Sequence, residues 1–233
     1  MQRYLYLIVC FIVLGCGQKA MAQDDDDAWY RLELGAGVGF SSMLNDGNSA
    51  MFGNSGLAAN IVARFPLNPR MAIKTGLSYM KSEGDVSGVK NFYPAIVGNA
   101  NDDRLNFKYS GAYYDLNVLY ELHFLPYGYL PTYMGYSRIV PYLQMGLGVT
   151  YSGIAQKAAV NVPIGLGVKY KLARRWNLNL DWHVSFTTSD MLEGLEAPMG
   201  ITSSGFKNKD HYNVMMLTLT YDLNPKCPTC NKY

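Results

Sequence analysis

The stretch Trp176–Phe186, WNLNLDWHVSF, decides the fold. Its apolar and polar residues alternate strictly, so that one face of a strand carries tryptophan, leucine, valine and phenylalanine while the other carries asparagine, aspartate, histidine and serine. Seven further stretches alternate in the same way, which predicts eight β-strands. They are expected at Trp29–Phe40, Gly56–Phe65, Arg70–Met80, Phe107–Phe124, Ile139–Tyr151, Ala159–Leu172, Trp176–Thr188 and His211–Leu223.

Residues 1–22 have the features of a secretion signal. Arg3 precedes an apolar core at Tyr4–Leu14, and the small-x-small site that ends at Ala22 predicts cleavage before Gln23. The apolar core is too short to span a bilayer. A lipoprotein cleavage box that would make Cys16 the lipidated residue is an alternative. Either route takes the chain out of the cytoplasm.

The composition fits an extracytoplasmic barrel. The net charge is +2 and only 16% of the residues are charged, so a nucleic-acid partner is not expected. Aromatic residues at membrane interfaces and glycines inside a small barrel would explain the 19 tyrosines and 23 glycines. The mean hydropathy of −0.05 is too low for a helical membrane protein, but it suits a barrel whose lipid-facing residues are every second one.

The predicted connections are mostly short on one side and long on the other. Residues 66–69 and 173–175 form tight turns, 125–138 is intermediate, 41–55, 81–106 and 189–210 are long, and 152–158 is a short exception. Because an open sheet edge in hydrocarbon leaves backbone groups unpaired, the eight strands should close. The sequence therefore predicts an all-β fold, an eight-stranded antiparallel up-and-down transmembrane β-barrel in the outer membrane of a Gram-negative bacterium. Residues 23–28 form an acidic leader, 29–223 the barrel and 224–233 a tail, with both termini in the periplasm.

The alternation also assigns an outer and an inner face to this barrel. The lipid face is expected to carry Leu32, Leu34, Val38, Ile61, Phe65, Ile73, Leu77, Leu116, Val118, Tyr120, Leu143, Leu147, Ile164, Leu166, Leu178, Leu180, Leu217 and Leu219. The inner face is expected to carry Arg31, Glu33, Asn60, Arg64, Lys74, Asp115, Asn117, Glu121, His123, Gln144, Asn161, Lys169, Lys171, Asp181 and His183, together with the glycines at 35, 37, 39, 146, 148, 165 and 167. An eight-stranded barrel is just wide enough for side chains to fill, so this mixture of charges predicts a polar plug and not a pore.

One strand face presents a carboxylate, an imidazole and a hydroxyl in sequence, at Asp181, His183 and Ser185. Such an order could activate a nucleophile. The His183-x-Ser185 pair resembles the strand motif of the lipid A 3-O-deacylase family of outer-membrane barrels. In that family the pair faces lipid, whereas the alternation here turns both residues inward. A hydrogen-bonding role inside the barrel is therefore expected, and the lipid-modifying enzyme is kept as an alternative.

Cys227 and Cys230 are the cysteines that follow the predicted barrel. No further zinc ligands and no thioredoxin-like setting accompany them, so a local disulfide in an oxidising compartment is expected, with contact to a periplasmic partner as the alternative. The four consecutive aspartates 24–27 cannot all face one calcium ion, which favours a solvated leader. No metal and no cofactor are expected.

The second half resembles the PorG-type family of small outer-membrane barrels associated with the type IX secretion system. The resemblance is carried by Pro141-Tyr142 with Gly146-Leu147-Gly148, the segment VPIGLGVKYKL at 162–172, TSDMLEG at 188–194, KNKD at 207–210, and the Cys227-Pro-Thr-Cys230 tail.

The resemblance implies a non-enzymatic anchor in the outer membrane, surrounded by lipid, that contacts a periplasmic ring built from a lipoprotein and its partner subunit. The expected contact surface is the connection 125–138, the turn at 174–175 and the tail. Its residues are Tyr127, Tyr129, Tyr133, Tyr136, Arg174, Arg175 and Lys226. A third function class is a surface-binding barrel that acts through its long loops, 81–106 above all.

Overall fold

Eight antiparallel strands follow one another around a closed barrel, in which each strand pairs with its neighbours in the chain and β8 pairs with β1. The computed structural model describes residues 29–44, 54–85, 108–128, 136–189, 192 and 210–226. The strands are β1 (Trp29–Leu44), β2 (Gly56–Asn68), β3 (Met71–Asp85), β4 (Lys108–His123), β5 (Ile139–Ser152), β6 (Lys157–Lys171), β7 (Trp176–Thr187) and β8 (His211–Lys226). The predicted fold class is thus confirmed.

The two ends of the barrel differ in their connections. The turn end carries the start of β1, the end of β8 and the connections 69–70, 124–138 and 172–175. The loop end carries the connections 45–55, 86–107, 153–156 and 188–210. The described part of the chain contains no helix that is long and apolar enough to span a membrane.

Several strands are longer than the alternation predicts. β1 continues from Phe40 to Leu44, because its last residues keep pairing with the start of β8. β8 continues to Lys226, which pairs with Trp29, beyond the predicted strand end at Leu223. Backbone pairing does not require an apolar face, and the ladder therefore continues beyond the residues that reveal it in the sequence.

The two faces of the barrel match the predicted assignment closely. Every predicted lipid-facing residue is exposed except Leu32 and Leu178, which are half-buried. The predicted inner-face side chains are buried, apart from half-buried Asn60 and exposed Arg31. Arg31 has the same strand parity as buried Glu33, but it is exposed because it lies near the start of β1, at the rim of the turn end.

Glycines on the inner face allow neighbouring strands to approach closely. A Cβ added at Gly146 would lie 2.0 Å from the carbonyl oxygen of Val118, and one added at Gly165 would lie 2.1 Å from that of Trp182. Both distances are far shorter than any van der Waals contact, and the obstacle in each case is backbone. These two positions therefore require glycine for the barrel to keep its curvature.

We expect Gly146→Ala to destabilise the barrel by about 1–3 kcal/mol, because the added methyl group meets a strand backbone that cannot move aside. Gly76→Ala is the matched control, since the nearest atom to its added Cβ is Cγ1 of Val62, at 3.3 Å in a side chain that can adjust. Urea unfolding of both variants in lipid vesicles, followed by tryptophan fluorescence, measures the difference. Equal losses of unfolding free energy at the two positions would contradict the explanation.

Candidate functional sites in the lumen and at the turn end

Arg64 on β2 is the centre of the charged network that fills the lumen. Its Nε and Nη2 donate to the two carboxylate oxygens of Glu121 at 2.7 and 3.0 Å, a bidentate pair, and its Nη1 donates to Glu33 at 2.8 Å. Nη1 also donates to Oδ1 of Asn179 at 3.1 Å. One guanidinium thus joins β1, β2, β4 and β7 across the barrel. Bidentate geometry of this kind is the strongest form of the arginine–carboxylate contact.

Lys74 on β3 extends the network toward β5 and β7. Its ammonium donates to Gln144 at 2.6 Å and to Asp181 at 2.8 Å, and it lies 3.2 Å from Glu121. The hydroxyl of Tyr142 donates to the same oxygen of Asp181. Glu121 therefore lies between two cations, and Asp181 is held by a cation and a phenol. Burial of these charges is tolerated because each has a partner of opposite sign.

Two further lysines carry the network to the turn end. Lys169 donates to Glu33, and Lys171 donates to Asp222. Asn177 bridges from Asp222 at 2.8 Å to the hydroxyl of Thr220 at 3.3 Å. The half of the lumen nearer the turn end therefore contains a continuous set of ion pairs and hydrogen bonds.

From the middle of the barrel toward the loop end, the lumen is filled first by polar and then by apolar side chains. Asp115 accepts hydrogen bonds from Asn117 at 2.5 Å, Asn161 at 2.8 Å and Thr150 at 3.3 Å. Beyond this layer a buried apolar cluster closes the lumen. Its members are Met43, Ala58, Met80, Tyr113, Ala159, Leu192, Tyr212, Val214 and Met216, with Ile154 packed against them.

Leu192, from the connection between β7 and β8, closes this end of the barrel. Its side chain is fully buried in the apolar cluster. Its backbone N–H donates to Asp210 at 2.8 Å, and its carbonyl oxygen accepts from Ser152 at 2.5 Å. The described residues therefore fill the lumen from the ion pairs to the loop end, in agreement with the predicted plug.

Asp181, His183 and Ser185 all lie inside the barrel, as the alternation predicted. Asp181 binds Lys74 and Tyr142 instead of His183. Neither ring nitrogen of His183 has a hydrogen-bond partner within the described part of the chain, so no hydrogen bond joins it to Asp181 or to Ser185. The geometry thus lacks the bonds between acid, base and nucleophile that activation requires.

Tyr127 occupies the turn-end opening of the lumen. Its hydroxyl donates to Asn177 at 2.7 Å, and the ammonium of Lys169 lies 4.2 Å from the centre of its ring. Burial raises the pKa of Tyr127 well above its usual range, and the negative charges of Glu33 and Asp222 raise it further, so the phenol remains a donor. The hydroxyl of Tyr127 is directed into the barrel while its side chain stays partly exposed, and the predicted contact of Tyr127 with a partner stays a prediction.

The backbone of the connection 124–138 holds Tyr127 in place. The N–H of Tyr127 donates to Pro69 at 3.0 Å, and the N–H of Ser137 donates to Pro126 at 2.8 Å. The two arms of the connection thereby form a short bridge, Tyr127 with Ser137, over the turn end. This closure could not be read from the alternation, because the connection has no repeating pattern.

The remaining predicted contact residues differ in their exposure, and some lie outside the described part of the chain. Tyr136 is half-buried and packs against Gly128, Arg174 is exposed, and Arg175 is half-buried beside tyrosines. Lys226 ends β8. Tyr129, Tyr133, Cys227 and Cys230 lie outside the described residues, as do the secretion signal, the acidic leader and most of the long loops.

Three tyrosines inside the lumen were missed by the sequence analysis. Tyr113 lies in the apolar cluster, Tyr142 binds Asp181, and Tyr212 shares hydrogen bonds with Thr150 at 2.9 Å and Asn161 at 3.1 Å. Their inward position follows from the parity of β4, β5 and β8, so the alternation contained the signal. No group of three or more His, Cys, Asp or Glu side chains in the described ranges is arranged to hold a metal ion.

Comparison with known proteins places these features in context. Residues 8–224 match a family model described as "Outer membrane protein beta-barrel domain". No curated protein sequence matches the chain.

Similar solved structures include Ail, the attachment invasion locus protein of Yersinia pestis, in complex with the heparin analogue sucrose octasulfate. Ail is 10% identical, the match covers 82% of this chain and 97% of that chain, and the TM-score is 0.46. Neisserial surface protein A is 12% identical over 82% of this chain and 97% of its own, with a TM-score of 0.46. OprG of Pseudomonas aeruginosa is 11% identical over 86% of this chain and 100% of its own, with a TM-score of 0.46. At these sequence identities and TM-scores, no binding property or activity of those proteins is inferred for this chain.

We expect Arg64→Met to lower the free energy of unfolding by about 3–5 kcal/mol, because it leaves Glu33 and Glu121 buried with fewer cationic partners. Lys81→Met is the control: Lys81 pairs with Glu83 at 3.2 Å on the surface, where an ion pair contributes at most about 1 kcal/mol. Equilibrium unfolding in urea measures both. A loss at Arg64 no larger than that at Lys81 would show that the network does not stabilise the barrel.

Proposed function

Since the chain belongs to the outer membrane protein β-barrel family, we propose that it is a non-enzymatic anchor in the outer membrane. It fixes a periplasmic partner through the surface of its turn end. The turn end faces the periplasm, as the short connections of such barrels do, and both termini lie on that side. Lipid surrounds the exposed apolar band of the strands.

The filled lumen is the observation that carries this proposal. Arg64 and Lys74 cross the barrel at its waist, and the apolar cluster around Leu192 fills the loop end. Solute transport would require an open path, which an eight-stranded barrel filled with side chains does not offer. What the barrel presents to other molecules is its two ends and its lipid-facing wall.

The partner we propose is the periplasmic ring of a type IX secretion system, which includes a lipoprotein. The resemblance of residues 141–230 to the PorG-type family supports this choice. The turn-end connections support it as well, because the described arms of one connection, 124–128 and 136–138, are held over the opening by Tyr127 and by backbone hydrogen bonds. A connection with a fixed shape loses less entropy when it binds a partner.

The lipid A-modifying enzyme is the second function. The inward positions of His183 and Ser185 place them behind the barrel wall, away from an acyl chain in the membrane. The third function, binding by surface loops, depends on segments outside the described residues.

A photoreactive amino acid placed at Arg174, an exposed turn-end position, should cross-link to the periplasmic lipoprotein and its partner subunit in intact cells. The same group at Leu143, on the lipid face, and at Lys157, at the exposed loop end, should give no such adducts. Mass spectrometry identifies the adducts. In a type IX strain, deletion of the gene should retain secreted cargo inside the cell.

Two results would overturn the anchor. Adducts from Lys157 with none from Arg174 would favour the surface-binding function, because the partner would then contact the loop end. Normal secretion in the deletion strain would remove the type IX assignment, even if Arg174 captured another periplasmic protein.

We expect Ser185→Ala and His183→Ala to leave lipid A unchanged, because neither side chain forms the contacts that would activate a nucleophile. Mass spectrometry of lipid A from wild-type, variant and deletion strains tests this. The shift of electrophoretic mobility on heating shows whether each variant folds. An acyl chain that is lost in wild-type cells and retained in a folded Ser185→Ala variant would establish the enzyme instead.

A further inference from the structure

Two arginines at the turn end lie over aromatic rings at the rim of the barrel. The guanidinium carbon of Arg138 lies 5.8 Å from the ring centre of Tyr170, and that of Arg175 lies 5.7 Å from the ring centre of Tyr30. Nη1 of Arg175 also donates to the hydroxyl of Tyr221 at 3.5 Å. That hydrogen bond raises the pKa of Arg175, which stays charged. Stacking holds both guanidinium groups against the barrel wall.

Backbone contacts fix the position of Arg138 as well. Its Nη2 donates to the carbonyl oxygens of Lys171 and Leu172, at 3.0 and 3.2 Å, so the guanidinium lies at the end of β6 where the turn 172–175 begins. Arg175 lies at the other end of the same turn. The two arginines therefore flank one hairpin, β6–β7.

The wall beside these arginines is built for the interface of a bilayer. Trp176 contacts Tyr221 edge to face, with ring centres 4.9 Å apart, and is 44% exposed. Leu172 and Ile139 are exposed next to it, and Leu180 continues the apolar surface along β7. Tryptophan and tyrosine at the end of an apolar band mark the level of lipid headgroups.

The charge outside the turn end is of one sign in the described part of the chain. The carboxylates of Glu33, Glu121 and Asp222 are buried and bound to lumen cations. Arg31 and Arg70 are exposed at the same end. An anion that approaches this end from the membrane therefore meets arginines above an apolar wall.

We propose that the arginine–aromatic patch, formed by Arg138, Arg175, Tyr30, Tyr170, Trp176 and Tyr221, binds the phosphate of an anionic phospholipid in the leaflet at the turn end. The guanidinium of Arg175 contacts the phosphate, and the acyl chains lie along Trp176 and Leu180. Arg138, whose Nε and Nη2 are bound to the carbonyl oxygens of Lys171 and Leu172, adds positive charge beside it. Guanidinium suits this ligand because its donors form a planar fork that matches phosphate oxygens. The exposed apolar wall beside the patch, with Trp176 and Leu180, distinguishes it from a surface that faces the periplasm.

This inference depends on the barrel's place in the outer membrane and is independent of the proposed partner. A barrel that anchors no secretion ring would still bind the lipid. A barrel without the lipid site would still be able to capture a partner through Arg174.

Quenching of Trp176 fluorescence by lipids with brominated acyl chains tests the proposal. The full chain carries Trp29→Phe and Trp182→Phe, so that Trp176 is the only tryptophan of the mature protein. It is placed in vesicles that contain brominated phosphatidylglycerol or brominated phosphatidylcholine. We expect phosphatidylglycerol to be preferred at least about fivefold, since each arginine near an anionic lipid surface contributes roughly that factor.

Arg175→Gln should lower the preference for phosphatidylglycerol about fivefold. Arg175→Lys should keep part of the preference, because it retains the charge and loses the planar fork. The matched control is Arg70→Gln, which removes the same charge from the same end and has no stacked ring among the described contacts. It should leave the preference unchanged. At about 1 M salt, where charges are screened beyond about 3 Å, the wild-type preference should fall.

Three results would overturn the inference. Equal quenching by the two lipids in the wild-type background would show that the patch does not select anionic lipid. An equal loss in Arg70→Gln would show that only the net charge of the end matters. An unchanged preference in Arg175→Gln, combined with loss of the cross-links made at Arg174, would assign Arg175 to the protein contact. The mobility shift on heating confirms that each variant is folded before it is measured.

Discussion

The pairing of Arg64 with Glu33 and Glu121 is the interaction on which the rest of the barrel depends. Eight strands leave a lumen too narrow for a hydrated channel, so every charge on the inner wall needs a protein partner. A single guanidinium meets this requirement for two carboxylates on different strands, at 2.8 Å and 2.7 Å. Lys169 then binds the other oxygen of Glu33, and Lys74 lies 3.2 Å from Oε1 of Glu121, an oxygen that also accepts from Arg64. The network thereby links strands that are not neighbours, which backbone pairing alone cannot do.

That constraint also limits where function can lie. A lumen filled with ion pairs at one half and apolar side chains at the other leaves no place for substrate or solute. Asp181 binds Lys74 and Tyr142, and no hydrogen bond joins it to His183 among the described residues. Interaction with other molecules is left to the ends of the barrel and to its lipid-facing wall.

Much of this architecture could be predicted from the sequence, because the alternation reports a physical fact: each residue of a strand faces either the lumen or the lipid. The parity of Trp176–Phe186 alone places Asp181, His183 and Ser185 inside, as the structure has them. The same parity does not predict the exposure of Arg31, since a side chain at the rim is open to solvent even on the inner face. It also says nothing of Tyr127, which reaches the lumen from a connection with no repeat, or of Leu192, whose burial depends on a folded loop. The ends of β1, β2, β3 and β8 were underestimated because strand pairing is a property of the backbone.

The turn end joins the membrane-facing wall to the lumen through a run of stacked cations and rings. Arg175 lies over Tyr30, Lys171 lies 5.6 Å from the same ring and 5.3 Å from Tyr127, and Lys169 lies 4.2 Å from Tyr127. Each of the two tyrosine rings thus contacts cationic side chains that also bind other residues. A movement of one of these side chains would therefore break contacts of its neighbours. Lys169 is bound in turn to Glu33, and through it to Arg64. The surface that the turn end offers to lipid or protein is therefore fixed by the same charges that fill the barrel, and a ligand that binds there does not have to order it first.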